Sequence, residues 1–205
     1  MPKTVTSLAF ASTLLVCAAA YAQGPAGTDP ATIQTGTYAV EPYHTEVGFS
    51  VLHFGFSYYS GVFSNASGDL TLDPKTLDAT KLDIRVPIAS VITPSPKLDG
   101  ELRGDNWLDA QKYPSMSFQS TKIERTGPNT ANVAGDLTLH GVTRPIVLKV
   151  TLVGAGIDPL DKAYTVGFQV TGELSRSDFG VKAYVPLIGD EIHLNIAAAF
   201  KKKAS

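Results

Sequence analysis

The chain has 205 residues, 43% of them hydrophobic and 18% charged, with 17 Lys and Arg against 19 Asp and Glu and a formal net charge of −2. That balance, without any basic stripe, excludes electrostatic nucleic-acid binding. A single cysteine excludes a disulfide framework, so a hydrophobic core must hold the fold.

Lys3, an apolar run from Leu8 to Ala20 and the trio Ala20-Tyr21-Ala22 have the plan of a secretory signal peptide: a basic start, a greasy middle and a small-residue cleavage site. The run is shorter than the roughly 20 apolar residues that cross a bilayer. Residues 1–22 are therefore expected to be removed after Ala22, on a route to the periplasm. Cys17 leaves with them. Removal of 22 from 205 residues leaves 183, and loss of Lys3 moves the charge to −3. That length suits one domain burying about 70% of its extended surface. Residues 23–37 are small, polar and contain Pro and Gly, the composition of a disordered lead-in. The folded domain is expected over 38–202.

Tyr38-Ala39-Val40 reads as a short strand ended by Glu41-Pro42. In the next stretch Val47, Phe49 and Val51 alternate with Gly48, Ser50 and Leu52, the period-two mark of a strand. His53 shares the apolar parity and should point inward. Gly55 and Ser57 supply a turn, and Tyr58–Phe63 returns. Ala66–Asp73 places Leu70 and Leu72 on one face. Lys81–Ile88 alternates again, with Pro87 near its end. Ser95–Asp109 is the one helix, with Ser95 as N-cap and Pro96 at the first position. Gly100 and Gly104 each weaken it by roughly 1 kcal/mol, so a break near Gly104 is expected. Trp107-Leu108 gives a further apolar anchor before Tyr113-Pro114.

Strands then resume at Ser115–Thr121, at Val133–Leu139 and at Arg144–Leu152. Val153–Asp161 reads as a loop. Tyr164 to about Leu174 is a long strand, and Ser177-Asp178-Phe179-Gly180 a tight turn with an aromatic at its tip. Glu191–Phe200 is the last strand, and Lys201-Lys202-Lys203 reads as a solvated tail. About ten short strands, one helical insert and no βαβ rhythm give an antiparallel all-β class. One apolar face per strand points to a closed barrel. About eight strands enclose either a filled core or room for one small ligand. The pattern alone leaves both open.

No G-x-S-x-G nucleophile turn, phosphate loop or metal-type histidine spacing occurs. A polar His53 on an apolar face must find a hydrogen bond or a ligand. His193 shares the parity of Asn195 and belongs outside. Arg103, Arg144 and Arg176 each sit at an element end, suited either to a polar head group at a barrel mouth or to an ion pair.

Four segments together resemble the YceI-like family of exported bacterial lipid-binding proteins. The first is Tyr38-x-Val40-Glu41-Pro42-x-His44-x-x-Val47-x-Phe49-x-Val51-x-His53-x-Gly55, with Gly61-x-Phe63 and Gly68-x-Leu70 after it. The second is Leu98-Asp99-x-x-Leu102-Arg103-x-x-x-Trp107-Leu108-Asp109, followed by Tyr113-Pro114-x-x-x-Phe118. The third runs from Val133-x-Gly135-x-Leu137 through His140-Gly141-Val142-Thr143-Arg144-Pro145, and the fourth is Ser175-Arg176-Ser177-Asp178-Phe179-Gly180. Glu41 stands where the family usually has Asp, Glu101 where it often has His, and Trp107 where it often has Phe.

The resemblance implies a lipocalin-like antiparallel β-barrel whose apolar channel binds a polyisoprenoid or other long-chain amphiphile. It also implies a protein that is often a homodimer and has no established catalysis; no metal and no cofactor besides the bound isoprenoid or fatty lipid is expected. A carrier of this kind would meet a donor or acceptor at the inner membrane in passing. Matched positions and strand parity together name the lipid contacts. They are Phe49, Val51, His53 and Phe63 in the first hairpin, then Leu70, then Leu102 and Trp107 in the insert. Phe118, Leu137, Phe168 and Phe179 complete the set. Head-group candidates are His44, Arg103, His140, Arg144 and Arg176. Two other readings stand beside this one: a small hydrolase or isomerase using His53 as general base, and a stress-related barrel filled by its own side chains.

Overall fold

The computed structural model describes residues 26–204. The expected signal peptide, its expected cleavage point and residues 23–25 of the lead-in lie outside that range. The strands are β1 (Gly36–Val40), β2 (Glu46–His53), β3 (Ser57–Phe63), β4 (Ser67–Leu72) and β5 (Lys81–Pro87). After the helix α1 (Pro96–Arg103) come β6 (Ser115–Arg125), β7 (Thr130–Leu139), β8 (Val142–Ile157), β9 (Tyr164–Ser175) and β10 (Ile188–Lys202).

All pairings are antiparallel, and the sheet closes because β10 meets both β1 and β2. β1 and β2 are two halves of one bent stave, as are β3 and β4. β1 pairs with β4, and β2 with β3. Counted this way the ten strands make an eight-stave, up-and-down barrel, which leaves little unpaired edge. The first stave bends where Pro42 cannot donate to the ladder. The gap is bridged by side chains. Thr45 Oγ1 donates to the Ala199 carbonyl at 3.2 Å and accepts from Ala199 N–H at 3.0 Å. Buried Glu41 accepts from His44 N–H at 2.8 Å.

One end, called lower here, is packed shut. Ile33, Tyr38, Leu152, Ala155 and Val166 form a cluster there, with Tyr38 and Val166 fully buried. The disorder expected over 23–37 does not hold for the described part. Gly27 and Ala155 exchange backbone hydrogen bonds of 2.9 and 2.8 Å, and Asp29 caps a turn at Pro30–Thr32. Ile33 is the one apolar anchor in a polar stretch, and composition averages it away. The lysine tail is likewise part of the barrel. β10 runs through Lys202, with Lys201 Nζ 2.6 Å from Asp161 and Lys203 Nζ 2.7 Å from Asp69. β8 also continues to Ile157, through most of the expected loop.

The Tyr38 hydroxyl donates to the Gln34 carbonyl. Burial, with Tyr164 nearby, pushes its pKa from 10.0 up to about 12. The folded state therefore holds the neutral phenol. The stability this adds is complete below the unfolded value and drains away as pH climbs from 10 to about 12. Tyr38→Phe should cost about 1 kcal/mol at neutral pH for the lost bond. It should also flatten the alkaline limb of a denaturation-midpoint profile. An unchanged alkaline limb would place that titration elsewhere.

The upper end carries the β2–β3 turn, the insert 88–114, the β7–β8 turn and the segment 176–187. The insert is tied to the barrel at one point and braced within itself at another. Ile92 exchanges backbone bonds of 2.9 Å with Val62 of β3. Buried Asp99 accepts from Thr93 N–H and Thr93 Oγ1, both at 2.7 Å. α1 starts at the Ser95 cap and stops at Gly104, as its glycines suggest.

The barrel cavity as candidate binding site

The interior is hollow. A cavity of about 830 Å³ runs through the barrel, within the range of about 300–1,000 Å³ usual for small-molecule sites. Its wall is built from the inward parity of nearly every strand. Two glycines help to keep it open. A Cβ on Gly61 would lie 2.6 Å from Phe49 Cζ, and one on Gly135 would lie 2.4 Å from Phe118 Cζ. Both rings thus lie flat over bare backbone on neighbouring strands, against the wall, and leave the centre free.

All the apolar candidates except Phe179 stand on this wall: Phe49, Val51, Phe63 and Leu70, then Leu102, Trp107, Phe118, Leu137 and Phe168. His53 stands there too, at the upper end. Its ring packs against Phe54 at 4.4 Å and Tyr59 at 6.4 Å, and it makes no hydrogen bond among the described residues. Phe179 is off the wall. Gly180, in the left-handed region at φ 81°, turns the chain so that the Phe179 ring packs under the segment at 1% exposure. The turn was expected to carry an aromatic at its tip, but the tip points inward to protein.

The head-group candidates are mostly committed elsewhere. His44 is exposed outside the wall, with Nδ1 2.6 Å from Glu41 Oε2. Arg103 Nη2 donates to the Val91 carbonyl at 2.6 Å and ties α1 back to the start of the insert. His140 Nδ1 lies 3.1 Å from the Phe179 carbonyl, which only accepts, so this nitrogen donates. Arg144 is exposed and off the wall. Arg176 does reach the wall, but it is 4% exposed and donates to four backbone carbonyls, at Gly189, Val181, Ala183 and Ile188.

The polar atoms of Thr45 and Thr93 on the wall are likewise satisfied within the protein. Apart from Ser117, the polar wall side chains without a partner among the described residues gather at the upper end, His53, Tyr59 and Tyr184, with Glu101 beside them in a pair with Lys97. Sequence reading missed Tyr184. Val181–Leu187 has no strand period, and only Val185-Pro186 marks it as a turn. On the outer wall Glu173, Glu191 and His193 form a cluster. His193 Nδ1 faces Glu173 and Nε2 faces Glu191, each at 3.4 Å.

A family model for the YceI-like domain matches residues 38–200. The chain belongs to the YceI-like family. A UPF0312 protein of Pseudomonas savastanoi pv. phaseolicola is 38% identical over 170 residues, covering 82% of this chain and 88% of its own. The crystal structure of the Campylobacter jejuni YCEI protein matches at a TM-score of 0.67 and 32% identity, over 74% of this chain and 90% of its own. A polyisoprenoid binding domain from Saccharophagus degradans matches at a TM-score of 0.63 and 13% identity, over 83% of this chain and 100% of its own. That last likeness is one of fold. The lipocalin-like barrel, with one short α-helix among the described residues, is thus the architecture of a YceI-like protein.

Proposed function

We propose that this YceI-like protein is a periplasmic carrier that holds a polyisoprenoid or other long-chain amphiphile inside its barrel. One observation carries the reading: a long apolar cavity whose free polar groups collect at one end. That is the shape of a ligand with a greasy tail and a single polar head. Each buried CH₂ is worth about 0.8 kcal/mol, so ten of them supply about 8 kcal/mol, in the micromolar range before ordering costs. Polar contacts are then needed only to set direction, and His53, Tyr59 and Glu101 are placed for that. The polyisoprenoid binding domain that shares the fold supports the same ligand class. Binding is favoured over catalysis because His53 has aromatic neighbours and no acid or second base bonded to it among the described residues.

Protein purified from the periplasm of its own host should release a long-chain lipid, close to one per barrel, on solvent extraction and mass spectrometry. Clean protein with an empty cavity would sink the reading.

A further inference from the structure

We infer that the apolar collar around the upper end of the cavity docks on the surface of a lipid bilayer, with the mouth held against the acyl chains. This rests on the lipid-carrier reading and adds a partner to it. Phe56 is 89% exposed, Tyr184 65%, Leu187 62% and Phe54 46%. They come from two different segments gathered at one end of the barrel, the β2–β3 turn and the stretch before β10. Phe54 N–H donates to the Leu187 carbonyl at 3.1 Å and joins the two. A single exposed apolar side chain is ordinary, as at Leu160 and Tyr43, each 90% exposed elsewhere. Four together beside one opening are a patch with a purpose.

One further observation selects a bilayer as the occupant. Phe54 and Tyr184 belong both to the collar and to the cavity wall, so the outer patch and the lumen form one continuous apolar surface. A long-chain lipid crosses bulk water only at a steep cost per CH₂. A mouth whose rim itself sits in lipid removes that crossing. The flanking charges are mixed, with Lys97 paired to Glu101 at 3.7 Å. Docking is therefore by apolar insertion and should be insensitive to salt.

The test uses the mature chain and vesicles of phosphatidylethanolamine and phosphatidylglycerol, read by co-sedimentation. Trp107, the single tryptophan, lines the mouth and reports docking by a blue shift. Phe56→Ser with Leu187→Ser should lower the partition coefficient at least about tenfold, while Leu160→Ser at the far end leaves it unchanged. Equal partition of all three proteins, or none by the wild type, overturns the inference. So does a collar variant that turns a dimer into a monomer without changing vesicle binding, because a second copy then covers the collar. Lipid extracted from the same samples keeps the two readings apart. A collar variant that retains its lipid but no longer docks supports the inference. A protein that carries lipid yet never docks overturns it and leaves the carrier reading intact.

Discussion

Arg176→Ala should lower the stability of the folded barrel by about 4 kcal/mol, the largest single-residue effect expected outside the hydrophobic core. A guanidinium has five N–H donors. Here Nε donates to the Gly189 carbonyl at 2.9 Å and Nη1 to Val181 at 3.0 Å, while Nη2 serves Ala183 at 2.9 Å and Ile188 at 3.0 Å. The Val181 and Ala183 carbonyls belong to the segment linking β9 to β10, which has no strand ladder of its own between Val181 and Leu187, and the Ile188 and Gly189 carbonyls to the first residues of β10. Arg176 does the work that a ladder would do. Its Cζ also lies 5.3 Å from the centre of the Trp107 ring, which joins this segment to the insert. Burial lowers its pKa from the usual guanidinium value and Asp190 works against that, so the group stays charged at any ordinary pH. Removal leaves several carbonyls without partners in a dry setting. Lysine carries the charge but has only three donors at a point, so Arg176→Lys should recover less than half. Urea midpoints of the three proteins measure this. A loss under about 1 kcal/mol for Arg176→Ala would show that the segment holds itself by packing.

The same residue shows where sequence reading ends. Arg176 beside a strand end suggests a hand reaching for a ligand's head, and its place on the cavity wall agrees. What it holds is backbone, and no pattern of residue types reveals the carbonyls that a loop will turn toward it. Strand parity fared better, because a period of two is a local property that pairing preserves. Val47, Phe49, Val51 and His53 face the lumen together, as do Ile192, Leu194, Ile196 and Ala198. The merging of β1 with β2 and of β3 with β4 into bent staves was not legible, since it depends on which neighbours flank each half. Nor was the hollow itself. Gly61 and Gly135 are unremarkable in the chain. Only the register that sets them beside Phe49 and Phe118 shows that large rings can lie along the wall without filling the middle.

That hollow makes its own prediction. Val47 lies on the wall in register with Phe63 on one side and Ile196 on the other. Val47→Trp should send an indole into open space and cut the lipid recovered with the purified protein to about a tenth or less. It should leave the ligand-free protein nearly as stable as before, because the added atoms fill a void. The two results together are diagnostic. In a barrel plugged by its own side chains the same substitution would overpack the core, at a cost of about 1–3 kcal/mol. Glu46→Trp is the control, one residue away on the exposed outer face, and should change neither quantity. Stability must be compared after delipidation, since a bound ligand raises the folding midpoint by mass action and its loss would otherwise pass for a packing defect. A Val47→Trp protein that keeps its full complement of lipid would mean that the chain lies elsewhere on the molecule. One that unfolds without lipid loss in the remaining folded fraction would mean that the centre of the barrel has no room for a tail.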